Sequence, residues 1–168
     1  MSQPPTKDTR SPAGLPSKVN PAIGPIAERI VVIVGGLLVA TSAAIHLHLW
    51  AGGYRHIPVV GNLFLAQGIT GIAIAITLVL RSRPSTIAIA AGYLGATVAG
   101  LLLSASRGIF GFRETLSAPY AVTSLTIEAV GVLIFVILLA QIWSSRHREI
   151  RAPSPRPTRR PRSPKNTR

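Results

Sequence analysis

Glu128 is the only acid within the chain's long apolar stretches, and it lies eight residues in from the nearer end of its run. On a helix that is about 12 Å of depth at 1.5 Å per residue. A carboxylate in an apolar medium is costly unless it is paired, protonated or turned to a wet cavity. It therefore reads in one of two ways: as a proton or cation site, or as a buried acid held by a neighbouring helix for structure. Tyr120 and Ser124 precede it by eight and four residues and share roughly its helix face, so a polar stripe runs from Glu128 to the end of the run. Gln67 lies about 13 Å into a different run, counted from Pro58, at matching depth. The matched depths allow Gln67 to donate a hydrogen bond to Glu128 across a bundle, which would itself supply the structural reading.

His46 and His48 stand two residues apart. On a helix that is about 200°, so the two rings point to nearly opposite faces and do not readily share a metal ion. At most one faces inward, and His46 shares its face with Ser42 and Trp50. A metal or haem site would need further ligands, such as His56 or Glu128; a single histidine near a membrane interface is more simply a polar residue. No metal is assigned to His46 or His48, and no cofactor is expected.

The segment 107–114, Arg-Gly-Ile-Phe-Gly-Phe-Arg-Glu, mixes charge with aromatic rings. It is too apolar for a simple solvated loop and too short to cross a bilayer, so an interfacial position is expected. Arg107 or Arg113 would be able to reach inward to Glu128. Together with Glu114 and His56 they are the candidate contacts of the outer loops, either as a lid over a cavity or as an amphipathic connector.

These residues are positioned by four apolar runs, 30–50, 59–80, 86–104 and 120–143, of 19 to 24 residues each. A bilayer's hydrocarbon core needs about 20 residues of helix. Pro25, Pro58, Pro84 and Pro119 stand just before the runs, where proline's missing N–H costs a helix nothing. The expectation is an all-α, four-helix transmembrane bundle with antiparallel up-down-up-down neighbours over residues 26–145, flanked by disordered tails at 1–25 and 146–168. The long polar segment before the first run argues for an anchor and against a cleaved leader. Trp50, Tyr54, Tyr120 and Trp143 fall near span ends, as an aromatic belt requires.

Charge placement orients the bundle. The first tail, the loop between the second and third runs and the last tail carry 15 of the 18 lysines and arginines; only Arg55, Arg107 and Arg113 fall on the other side. Cytoplasmic segments carry the Lys/Arg excess, so both termini are expected in the cytoplasm. The last tail is rich in arginine and proline, and Arg146, Arg148, Arg151, Arg159 and Arg160 are expected to rest on anionic lipid headgroups. No aromatic residue interleaves those arginines, so nucleic acid is not expected as a partner despite the net charge of +13.

Small residues recur every four positions at Gly36, Ala40 and Ala44, at Gly71 and Ala75, and at Ala88, Gly92, Ala96 and Gly100. Such ridges let helix backbones approach, either within the bundle, the favoured reading, or at a seam with a second copy or another membrane protein. There is no cysteine, which excludes disulfide and thiolate chemistry. No phosphate-binding glycine loop, zinc-protease helix or nucleophile elbow is present, so no enzyme activity is expected.

The stretches His46-Leu-His-Leu-Trp50, Gly53-Tyr-Arg-His-Ile-Pro58, Gly61-Asn-Leu-Phe-Leu65 and the Gly108 to Glu114 segment resemble small four-span membrane proteins of actinobacteria. The resemblance covers about residues 30–143. It implies a bacterial plasma membrane and says nothing about activity. Two functions fit the residues: a non-enzymatic accessory or assembly component of a membrane complex, or a small proton-coupled transporter or ligand- or metal-binding membrane protein with a polar site in the outer half of the bundle at Glu128, Gln67, Ser124 and His46.

Overall fold

The computed structural model describes residues 24–151. Four helices follow one another: α1 (Pro25–Gly52), α2 (Val60–Leu80), α3 (Pro84–Arg107) and α4 (Ala121–Arg151), with a single 3₁₀ turn at Tyr54–His56 after α1. All four are long and apolar enough to cross a membrane. Pro25 and Pro84 sit in the first turns of α1 and α3. Pro58 and Pro119 each precede a residue with positive φ, Val59 at 65° and Tyr120 at 66°, which re-aims the chain into α2 and α4. At the first of these the Val60 N–H closes a tight turn on the Pro58 carbonyl at 2.7 Å.

The helix ends depart from the expected runs in one consequential way. α4 continues to Arg151, so residues 146–151 are helical and not the start of the tail. Between Pro119 and Pro153 the sequence has no proline to break the helix. The expected tails at 1–23 and 152–168, including Arg159 and Arg160, lie outside the described residues.

The bundle is built of two hairpins. α1 packs along α2, α3 packs along α4, and the hairpins join mainly through α1 and α4; α2 and α3 meet sparingly. The buried centre holds Val32, Val39, Leu78, Ile87, Leu94 and Phe135. Glycines seat large side chains at every seam. Phe135 of α4 lies on Gly35 of α1, Leu94 of α3 on Gly131 of α4, Leu47 of α1 on Gly68 of α2, and Tyr93 of α3 on Gly71 of α2. In a bilayer, where lipid is as apolar as leucine, this close van der Waals fit replaces the hydrophobic effect as the force between helices.

The small-residue ridges divide. Gly36 is buried against Val79, and Gly71 and Ala75 are buried on α2. On α3 the favoured reading is overturned: Ala88, Gly92 and Ala96 are exposed, and a methyl group on Gly92 or Gly100 would meet nothing. The face α3 presents to the bundle carries Ile87, Ala90, Leu94 and Thr97 instead. Bulk, not smallness, packs this helix, because its neighbour α4 supplies the glycine.

Candidate functional site

The site is made of two helix faces, each with a serine one turn before a second polar residue. On α4, Ser124 precedes Glu128 by four positions; on α1, Ser42 precedes His46 by the same interval, and that spacing stacks the members of each pair on one face. α1 and α4 pack these faces together. The hydroxyls of Ser42 and Ser124 both donate to Oε1 of Glu128, each at 2.7 Å. Glu128 is 1% exposed and Ser42 is fully buried. Hydrogen bonds to a carboxylate are among the stronger ones a chain can make. Among the described residues no lysine, arginine or histidine forms an ion pair with it.

His46 is also buried, and its Nδ1–H donates to the Ser42 carbonyl at 2.8 Å. That bond fixes the orientation of the ring. The ring lies 5.1 Å from Phe64 of α2, centroid to centroid. His48 stands exposed on the opposite face with its ring edge-on to Tyr120. Among the described residues no three of histidine, cysteine, aspartate and glutamate gather as a metal cage would require.

A cavity of about 140 Å³ opens beside this cluster, in the half of the bundle that carries the α1–α2 and α3–α4 connections. Glu128, Ser124, His46, Gln67 and Tyr120 all line it. The walls between are apolar, with Leu49, Phe64 and Leu101 among them. Such a space is well above the minimum of roughly 10–15 Å³ that one water needs. Its position follows from the packing, since it lies where α2 and α3 fail to close on each other. Across that seam the Tyr93 hydroxyl donates to the Gln67 carbonyl at 3.0 Å.

Over the cavity the two connections clasp. Tyr54, from the 3₁₀ turn, donates its hydroxyl to Oε2 of Glu114 at 2.7 Å. The Tyr54 ring stacks on Phe64 at 4.7 Å and meets Phe112 edge-on at 5.8 Å. The Glu114 N–H is bonded to the Ser104 hydroxyl on α3. Burial, then the Glu114 carboxylate, pushes the Tyr54 phenol well above its ordinary value of 10.0.

Two expected pairings do not form. Gln67 does not donate to Glu128, whose Oε1 accepts from the two serines; among the described residues the Gln67 Nε2 is buried without a partner. Nor do the outer-loop arginines turn inward. Arg113 binds the carbonyls of Ala105 and Ser106, and Arg107 is exposed in the last turn of α3. The unsatisfied carbonyls of a helix C-terminus draw cations there. The charged residue of this loop that lines the cavity is its acid, Glu114. His56 stays exposed and accepts from Arg55 Nε at 3.1 Å.

Of the expected headgroup contacts, Arg146 is exposed and lines a shallow groove with Pro84 and Trp143 at the opposite end of the bundle; Arg148 and Arg151 belong to the last turn of α4. Several members of the site were not singled out from the sequence: Ser42 as a partner of Glu128, Tyr93, Thr97, Ser104, and Tyr54 beyond its place in a belt. A signal did exist for Ser42, since the Ser42–His46 interval repeats the Ser124–Glu128 interval on another run. Comparison with protein-family models, with curated proteins and with solved structures finds no match to the chain.

Proposed function

We propose that this is a non-enzymatic multi-pass protein of a bacterial plasma membrane, with both termini in the cytoplasm, that binds a small ligand in the cavity beside Glu128, as a transporter or a ligand-binding protein would. One observation carries the reading: a buried carboxylate with no counter-ion among the described residues lies on the wall of a cavity also lined by Gln67, whose amide nitrogen has no partner among them either. Polar groups converging on a largely apolar pocket are the usual form of a ligand site. The arrangement is also more than a structural bond requires, because the serines alone satisfy Oε1. Gly100 supplies the test. It lines the cavity and a Cβ there meets nothing within 4 Å, so Gly100→Phe adds bulk at the cavity wall without a clash at its first atom. Native mass spectrometry of gently solubilised protein should show a bound small molecule that Gly100→Phe loses. A wild-type protein carrying none, alone or after incubation with membrane extract, would defeat the reading.

The exposed ridge of Ala88, Gly92 and Ala96 on α3 favours a second reading, an accessory subunit that receives a helix of another membrane protein. A stoichiometric partner in mild detergent, lost on Gly92→Leu, would support it. Co-purification unchanged by Gly92→Leu would count against it.

A further inference from the structure

We infer that the ligand of this cavity is a small organic cation, an ammonium group on a compact apolar body, with the ammonium at Glu128. The inference rests on the ligand-binding reading above and names the class of molecule. Charge carries it first. The chain has 18 lysines and arginines against 5 acids, yet two of those acids, Glu114 and Glu128, line this one cavity, and among the described residues no lysine or arginine does. Arg113, the cation best placed to enter, is instead held on the α3 carbonyls. Glu128 thus has two hydroxyl donors and, among the described residues, no counter-charge, and a cation entering the cavity supplies it. An ion pair formed in a low-dielectric site is felt far more strongly than one in water.

Shape and surface carry it further. The rings of Tyr54, Phe64 and Phe112 form one aromatic cluster along the cavity. Aromatic faces attract ammonium groups and pack apolar bodies equally well. The volume, about 140 Å³, matches the engineered cavity of about 150 Å³ that takes up benzene, which sets the body at about the size of one ring. Leu63 and Ala96 line the same cavity and are exposed on the outside of the bundle, on the sparsely packed α2–α3 seam. The cavity wall is therefore exposed along that seam, and an amine with an apolar body suits a wall of this kind.

The test uses the full chain in lipid nanodiscs, with benzylamine and its uncharged near-isostere benzyl alcohol as probes, followed by calorimetry at neutral pH. The wild-type protein should bind benzylamine at least about tenfold more tightly than the alcohol, the scale of one hydrogen bond to a charged group. Glu128→Gln should abolish that preference by lowering affinity for benzylamine. Equal binding of the two probes by the wild type overturns the cation assignment but leaves the ligand-binding reading standing. Binding of neither overturns both. A preference that survives in a folded Glu128→Gln protein overturns the placement of the ammonium at Glu128. The wild-type comparison needs no variant, so it decides the charge question even if Glu128→Gln fails to fold.

Discussion

Ser42 and Glu128, 86 residues apart, are joined by a 2.7 Å hydrogen bond that ties α1 to α4 in the buried part of the bundle. It shares its acceptor with Ser124, which reaches the same oxygen from one turn earlier on α4. The local serine orients the acid, and the distant serine makes that orientation a link between the two hairpins.

Ser42→Ala should destabilise the folded protein by about 1–2 kcal/mol, the upper range for an interhelical hydrogen bond in a membrane. Ser124→Ala should cost less, because it breaks no contact between helices. The double variant should cost more than the two single losses summed, since either serine alone still satisfies Oε1. Unfolding in mixed micelles titrated with a denaturing detergent measures all three.

Gly35 and Gly92 should respond oppositely to the same change. A methyl group on Gly35 would come within 2.5 Å of the Phe135 ring, so Gly35→Ala should cost about 1–3 kcal/mol from overpacking. Gly92 faces open space, and Gly92→Ala should be neutral or stabilise by up to about 1 kcal/mol through helix propensity. Thermal melts of the two variants separate the cases, and a Gly35→Ala protein as stable as wild type would contradict the seating of Phe135.

Phe135 itself is fully buried in the centre. Phe135→Ala should cost about 3–5 kcal/mol, as large-to-small changes in a packed core do. The same denaturing-detergent titration measures it.

The Tyr54 phenol should resist ionisation. Its raised value means that the folded protein keeps this proton where an unfolded chain has lost it. The stability from the Tyr54–Glu114 clasp is therefore complete below about pH 10 and lost as pH rises through the raised value. Tyr54→Phe should reduce the late-titrating tyrosine absorbance at 295 nm, and Glu114→Gln should bring the Tyr54 titration to lower pH.

The architecture was legible because length and apolarity are read residue by residue: four runs long enough to span, each announced by a proline, can hardly be anything but four helices. The depth of Glu128 and the opposed directions of His46 and His48 were legible for the same reason, helical geometry being periodic. Partnerships were not. Whether Gln67 or Ser42 reaches Glu128 depends on which helices neighbour each other and on their rotation, and four runs of similar length leave both open. The α3 ridge misled because smallness marks where a backbone permits approach, not which side a neighbour takes. Arg113 misled because charge attraction to Glu128 competes with the bare carbonyls at the end of α3, which hold the guanidinium without its burial in the bundle.

The sparse meeting of α2 with α3 gives the molecule the plan of a book, with α1 and α4 as its spine and the remaining two helices as free edges of the covers. Each cover is a hairpin of consecutive helices, so each can enter the bilayer as a unit during synthesis before the two come together. The chain between them, from Arg81 to Arg83, carries few of the contacts that hold the bundle. Two separately expressed hairpins divided at that connection should thus find each other in the membrane, meeting along the α1–α4 spine where Ser42 reaches Glu128.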